Sequence, residues 1–164
     1  MGSTMKWLKN LVWLFGLQFI FGCADSSTTL SIATGGPAGL YYPIGGGMAS
    51  IWSAHVPGIN VRAEVTGGSV SNVIQVARGE SDLGIAMADV ISDAYKGEGL
   101  FPESLPLRVL LSAYPNVIHV VTVEKTNISS ISDLAGKRVS LGAQGSGTAV
   151  AAQNILIGLG LQES

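Results

Sequence analysis

The chain has 164 residues, enough for one domain with a real core, and is 47% apolar, 12% charged and rich in glycine, with a formal net charge of −2. Nothing in it resembles a basic stripe, an acidic tail or a low-complexity tract, which argues against nucleic acid as a partner. Its one cysteine leaves no internal disulfide to be made.

The first 22 residues read as a leader peptide, to be set aside before any reasoning about the fold. Lys6 and Lys9 form a short basic region, and residues 11–21 an apolar run too short to span a bilayer comfortably. Gly22 and Cys23 follow. The sequence Ile20-Phe21-Gly22-Cys23 resembles a bacterial lipobox, which implies that Cys23 is lipidated and becomes the first mature residue. A plain secretory signal or an uncleaved anchor are the other readings, and all three place the remainder outside the cytoplasm. Without Lys6 and Lys9 the remainder carries seven basic and eleven acidic residues, a net charge of about −4. Any anion site must therefore be local, made of backbone N–H groups and hydroxyls. Residues 23–29 read as a polar tether.

Residues 30–33 read as a buried strand, and Ile44, Met48, Ile51, Trp52 and His55 recur at helical spacing. Between them lies Thr34-Gly35-Gly36-Pro37-Ala38-Gly39-Leu40-Tyr41-Tyr42. Gly35, Gly36 and Gly39 suit a sharp turn or a close approach to a ligand. The helix that follows points free N–H groups and its positive dipole end back at this turn, a geometry that holds carboxylate or phosphate. No Lys-Ser or Lys-Thr follows the glycines and the spacing is not G-x-G-x-x-G, so neither a P-loop nor a dinucleotide fingerprint is present. Tyr41 and Tyr42 suit a pocket wall or plain core.

Val61, Ala63 and Val65 alternate with polar residues as a second strand, which runs into Thr66-Gly67-Gly68-Ser69 and a helix over residues 70–77. Ser69 is the expected N-cap or a ligand contact, and Asn72 points to solvent or to a cleft. Residues 82–87 read as a third strand, followed by Ala88, Asp89 and a helix through Tyr95. Residues 107–113 and 116–123 read as a fourth and a fifth strand split by Tyr114-Pro115. Residues 132–136 read as one helical turn and residues 137–141 as a sixth strand. Gly142-Ala143-Gln144-Gly145-Ser146-Gly147-Thr148 and a helix to Gly158 follow. The alternation predicts an α/β fold with a mostly parallel sheet. Its glycine turns would converge at the carboxyl ends of the strands, where such sheets bind ligands.

These residues together resemble the TAXI group of solute-binding proteins, the extracytoplasmic receptors of TRAP transporters. The resemblance rests on residues 30–36, on Gly39-Leu40-Tyr41-Tyr42-Pro43-Ile44-Gly45-Gly46-Gly47, on Thr66-Gly67-Gly68-Ser69-Val70-Ser71-Asn72 and on Asp133-Leu134-Ala135-Gly136-Lys137-Arg138-Val139. It implies a type II periplasmic-binding-protein-like fold of two α/β lobes closing on a ligand. Residues 30–114 would be the first lobe and residues 115–164 the start of a second, incomplete one. It further implies a receptor that captures a small organic acid or amino acid and delivers it to a membrane permease. The implied ligand-binding residues are Thr34, Gly35, Gly36, Gly39, Tyr41, Tyr42, Ser69, Asn72, Asp89, Gly145, Ser146, Gly147 and Thr148. Where relatives often carry a polar residue after the third strand, this chain has Met87.

An exported enzyme is the competing class, with a surface lipoprotein holding a non-transport ligand site as another. His55 and His119 lie away from the glycine turns, and no His, Asp, Glu or Cys spacing suits a metal. Ser146 sits in Gly-Ser-Gly, without the G-x-S-x-G elbow of a nucleophile. The expectation is binding without catalysis, cofactor or metal.

Overall fold

The computed structural model describes residues 27–161; the leader and Cys23 lie outside them. The elements in order are β1 (Thr28–Ala33), α1 (Tyr41–His55), β2 (Ile59–Glu64), α2 (Ser69–Arg78), β3 (Leu83–Gly84), α3 (Ala88–Lys96) and α4 (Gly147–Gly158). Two 3-10 turns, Glu124–Thr126 and Ile131–Leu134, precede α4. The three strands form one parallel sheet in the order β2-β1-β3. Thr28 is in register with Ile59 and Ala33 with Glu64, while Ile32 pairs with Leu83. This is the expected α/β architecture, and the turns after β1, β2 and β3 all leave the same edge of the sheet because the strands are parallel.

Two apolar clusters hold the layers together. Ile32 of β1, Val61 of β2 and Ala49 of α1 form one, extended by Met48, Trp52, Leu83 and Ile85. Val73, Val90, Ala94, Phe101 and Leu107 form the other, between α2, α3 and the loop that follows. Val150 of α4 packs against this second cluster. Pro43 stands in the first turn of α1, where its missing N–H costs no helical bond. Pro57-Gly58 follows the end of α1, with Gly58 at φ +75°.

Gly45 sets how closely α1 approaches the sheet. A Cβ there would collide with Cγ2 of Thr34, the residue just past β1, and would meet Ile85 Cδ1 at 3.6 Å. The helix therefore lies nearer the strand ends than any larger residue would allow.

Three expected strands do not form. Residues 107–113, 116–123 and 137–141 belong to no ladder. Their β-branched and apolar side chains favour extended backbone, but a strand also needs a neighbour to take its N–H and C=O groups. Among the described residues none is in place. The third strand is also shorter than expected, two residues instead of six. Beyond residue 114 the described chain contains no second sheet, only the 3-10 turns and α4. Helix α2 begins at Ser69 with Gly68 as its N-cap, so Ser69 is not the cap. No helix among the described residues is long and apolar enough to cross a membrane.

Candidate ligand-binding site

The turn after β1 is held from below. The Thr34 N–H and hydroxyl both donate to the carbonyl of Glu64, at 3.0 and 2.5 Å, extending the β1–β2 ladder by one residue. Gly39 N–H donates to the Gly36 carbonyl at 2.8 Å, closing the turn. The N–H groups of Gly35 and Gly36 donate to nothing among the described residues, and Gly36 is exposed with open space where a Cβ would be. This turn keeps open donors, the property an anion site requires.

Asn72 is fully buried and has a different role from the expected one. Its side-chain amide donates to the carbonyls of Thr34 and Ile85, each at 2.6 Å. Its Oδ1 accepts the Thr66 hydroxyl at 2.5 Å, and that hydroxyl oxygen accepts Gly68 N–H at 3.1 Å. Asn72 thus supplies a rung between β1 and β3 one step beyond the point where backbone pairing ends, and ties that rung to the turn after β2. Both of its donors are spent, so it has none left for a ligand.

Ser69 is also buried, and its Oγ accepts Met87 N–H at 3.1 Å. Gly147 covers it: a Cβ on Gly147 would stand 2.7 Å from Ser69 Oγ and 2.5 Å from Met87 Sδ. In this conformation the Ser69 hydroxyl faces protein, and Met87 acts through its backbone and bulk.

The turn before α4 docks directly onto the turn after β2. The Gly145 carbonyl accepts the N–H groups of Val70 at 3.0 Å and Ser71 at 3.3 Å, the first-turn donors of α2. A Cβ on Gly67 would lie 2.9 Å from the Gln144 carbonyl oxygen, and one on Gly68 3.2 Å from Ser146 Cα. Gly68 also has φ +112°, a conformation that side chains strain against. The Gly-Gly pair is thus explained by backbone meeting backbone. Ser146 Oγ caps α4 by accepting Ala149 N–H at 3.1 Å. A Cβ on Gly35 would in turn touch Gly68 Cα at 3.9 Å. Residues 34–39, 66–68 and 142–147 therefore meet as one cluster.

Beside this cluster Tyr41 opens α1. Its hydroxyl accepts Asn116 Nδ2 at 3.3 Å, and its ring meets Tyr114 edge-on with centroids 6.4 Å apart. Burial, then the neighbouring Tyr41, raises the Tyr114 phenol above its ordinary range. Tyr42 is exposed and makes no such contact. Asp89 is exposed in the first turn of α3, where its Oδ1 accepts Val90 N–H at 2.8 Å. Thr148, in the first turn of α4, is exposed as well.

Tyr41, Asn72 and Asp89 line a cavity of about 680 Å³ that runs from Tyr114 past Met48 and Trp52 to Leu107. A second groove of about 430 Å³, between α3 and α4, holds none of the expected site residues. Tyr114 and Asn116 were not expected at the site. The pairing with Tyr41 spans more than 70 positions, and Tyr114-Pro115 reads locally only as a strand break. Among the described residues no group of His, Cys, Asp and Glu could hold a metal ion.

Residues 32–164 match the NMT1-like family, so the match includes all three glycine turns and every expected ligand-binding residue. The chain belongs to the NMT1-like family, a solute-binding family of periplasmic-binding-protein-like proteins.

Proposed function

We propose that this protein is an extracytoplasmic receptor of the TAXI type, which captures a small organic acid or amino acid and delivers it to the membrane subunits of a TRAP transporter. It acts by binding, without catalysis, and is held at the membrane through a lipid on Cys23. The observation that carries this reading is the cluster formed by the turns at residues 34–39, 66–68 and 142–147. Within it the N–H groups of buried Gly35 and exposed Gly36 have no partner among the described residues, and the hydroxyl of Tyr41 stands at the start of α1.

A ligand carboxylate is assigned to those N–H groups and to the Tyr41 hydroxyl. Hydrogen bonds from N–H and O–H donors to a carboxylate are shorter and stronger than neutral ones. The first-turn donors of α2 are already taken by the Gly145 carbonyl, so the carboxylate is assigned to the turn after β1. The site needs no lysine or arginine for this, in keeping with the net negative charge.

The test is a calorimetric titration with a panel of dicarboxylates and amino acids, repeated on Gly36→Val. At Gly36 nothing lies within 4 Å of a new Cβ, so the fold should tolerate the change while the branch covers the open donors. The expected result is binding by the parent protein and at least a tenfold loss in the variant, about 1.4 kcal/mol. Unchanged affinity in a folded Gly36→Val protein would move the carboxylate elsewhere. For the anchor, Cys23→Ser should release the protein from the membrane fraction or block its processing, and normal acylation of that variant would contradict the lipobox assignment.

A further inference from the structure

Little chain separates Cys23 from the fold, and the fold fixes which end of the body that chain joins. Four residues, Ala24-Asp25-Ser26-Ser27, stand between Cys23 and Thr28, the first residue of β1. Such a tether covers at most about 18 Å fully extended, and a flexible chain of that length averages about 12 Å. Thr28 N–H donates to the Gly58 carbonyl at 2.8 Å, so the tether meets the body beside the loop that follows α1. This is the amino end of the sheet, where Thr28 is in register with Ile59.

The turn at residues 34–39 lies at the other end. From Thr28 to Ala33 β1 rises about 17 Å before that turn begins. The 15 residues of α1 then run back over about 22 Å, from Tyr41 beside the turn to His55 beside the tether. Facing Gly35 and Gly36 to the bilayer would lift Thr28 about 20 Å above the lipid, beyond the reach of the tether. Orientations with the amino end toward the lipid leave the tether at its ordinary length. The surface there is suited to such an approach. Residues 53–61 contain no Lys, Arg, Asp or Glu, and His55, Val56 and Gly58 are exposed, so no fixed like charge opposes the headgroups.

We infer that the anchored protein presents the amino end of its sheet, around residues 55–58, to the lipid headgroups and holds the turn at residues 34–39 on the far side. The inference rests on the lipid assignment at Cys23. Ligand is then captured from the bulk side. A membrane subunit that receives it has to rise about 20 Å above the bilayer surface to meet the turn.

The test uses the acylated full chain in vesicles of phosphatidylethanolamine and phosphatidylglycerol. Cys23 is the only cysteine, so once it is acylated an introduced cysteine is the sole free thiol. His55→Cys and Ala38→Cys place one at an exposed position of either end, where each is labelled with a fluorophore. Quenching by a lipid spin-labelled in its headgroup is then measured. The expected result is quenching at least threefold stronger at position 55 than at position 38. A Gly/Ser spacer of about 15 residues inserted after Ser26 should bring the two toward equality, because the longer tether frees the orientation. A second arm needs no substitution. Trp7 and Trp13 belong to the leader, so Trp52, in the last turn of α1, is the sole tryptophan of the processed chain. Energy transfer from it to a lipid with a dansyl headgroup should be efficient, and should fall with the spacer. Equal quenching at the two positions, stronger quenching at position 38, or no transfer from Trp52, in protein that is fully vesicle-bound, overturns the orientation and leaves the anchor standing. Protein that stays in solution overturns the anchor assignment and the orientation with it.

Discussion

Asn72 shows what a single side chain does here that its neighbours in sequence do not announce. Its amide spans the Thr34 and Ile85 carbonyls, 38 and 13 positions away, and its oxygen receives Thr66. Asn72→Ala should leave the buried Thr34 carbonyl and the half-buried Ile85 carbonyl without that donor and destabilise the protein by about 3 kcal/mol in chemical denaturation, whereas Thr66→Val, which removes one end of the network, should cost about 1 kcal/mol. A loss below 1 kcal/mol for Asn72→Ala would mean that water replaces the side chain. Gly45 makes a second case. Alanine there would gain helix propensity, worth about 1 kcal/mol. The collision with Thr34 opposes this gain, and the expected net effect of Gly45→Ala is a loss of about 1–3 kcal/mol. The sequence marks Asn72 as a candidate for a site and Gly45 only as part of the family motif. It does not show the contact that decides between a structural and a binding role, because that contact comes from other elements.

At the scale of elements, β1, α1, β2, α2, α3 and α4 are legible in the chain because each carries its own periodicity and its own glycine or proline stop. Residues 107–113, 116–123 and 137–141 have equally strong strand chemistry and form no strand, since pairing depends on a neighbour that local sequence does not contain. The link between the turn after β2 and the turn before α4 is likewise invisible locally, yet testable. Gly68→Ala would strain a residue at φ +112° and push against Ser146, so the Gly145 carbonyl should lift from Val70 and Ser71. Amide exchange at those two positions should then speed up, with little change in the centre of β1. The 3-10 turn Ile131–Leu134 offers a pH signature. Backbone N–H groups of Ser129 and Ser130, then the Ser130 hydroxyl, hold the Asp133 carboxyl below its ordinary range. A depressed carboxyl pKa gives order that is present above the unfolded value and lost as pH falls through the folded one. The Ser129 and Ser130 amides should therefore lose protection only below the ordinary carboxylate range, and Asp133→Asn should flatten that response.

For the whole molecule, the α/β class and the parallel sheet follow from the alternation of elements, and so does the placing of the turns after β1 and β2 at one end; the turn before α4 joins them by docking on α2, with no strand leading into it. What the sequence left open is how that end divides its donors: the α2 first turn is closed by Gly145, while the N–H groups of Gly35 and Gly36 have no partner among the described residues. Charge at this scale adds little, because the chain carries only a small negative net charge. The central claim is that this end of the sheet receives a carboxylate at the turn after β1. Amide chemical shifts of 15N-labelled protein, followed while a panel of organic acids and amino acids is titrated in, test it most directly. The expected result is a saturable shift at Gly35, Gly36 and Tyr41 with at least one member of the panel, while the Val70 and Ser71 amides move less. Saturable shifts confined to the groove between α3 and α4, or to residues 107–118, would contradict it.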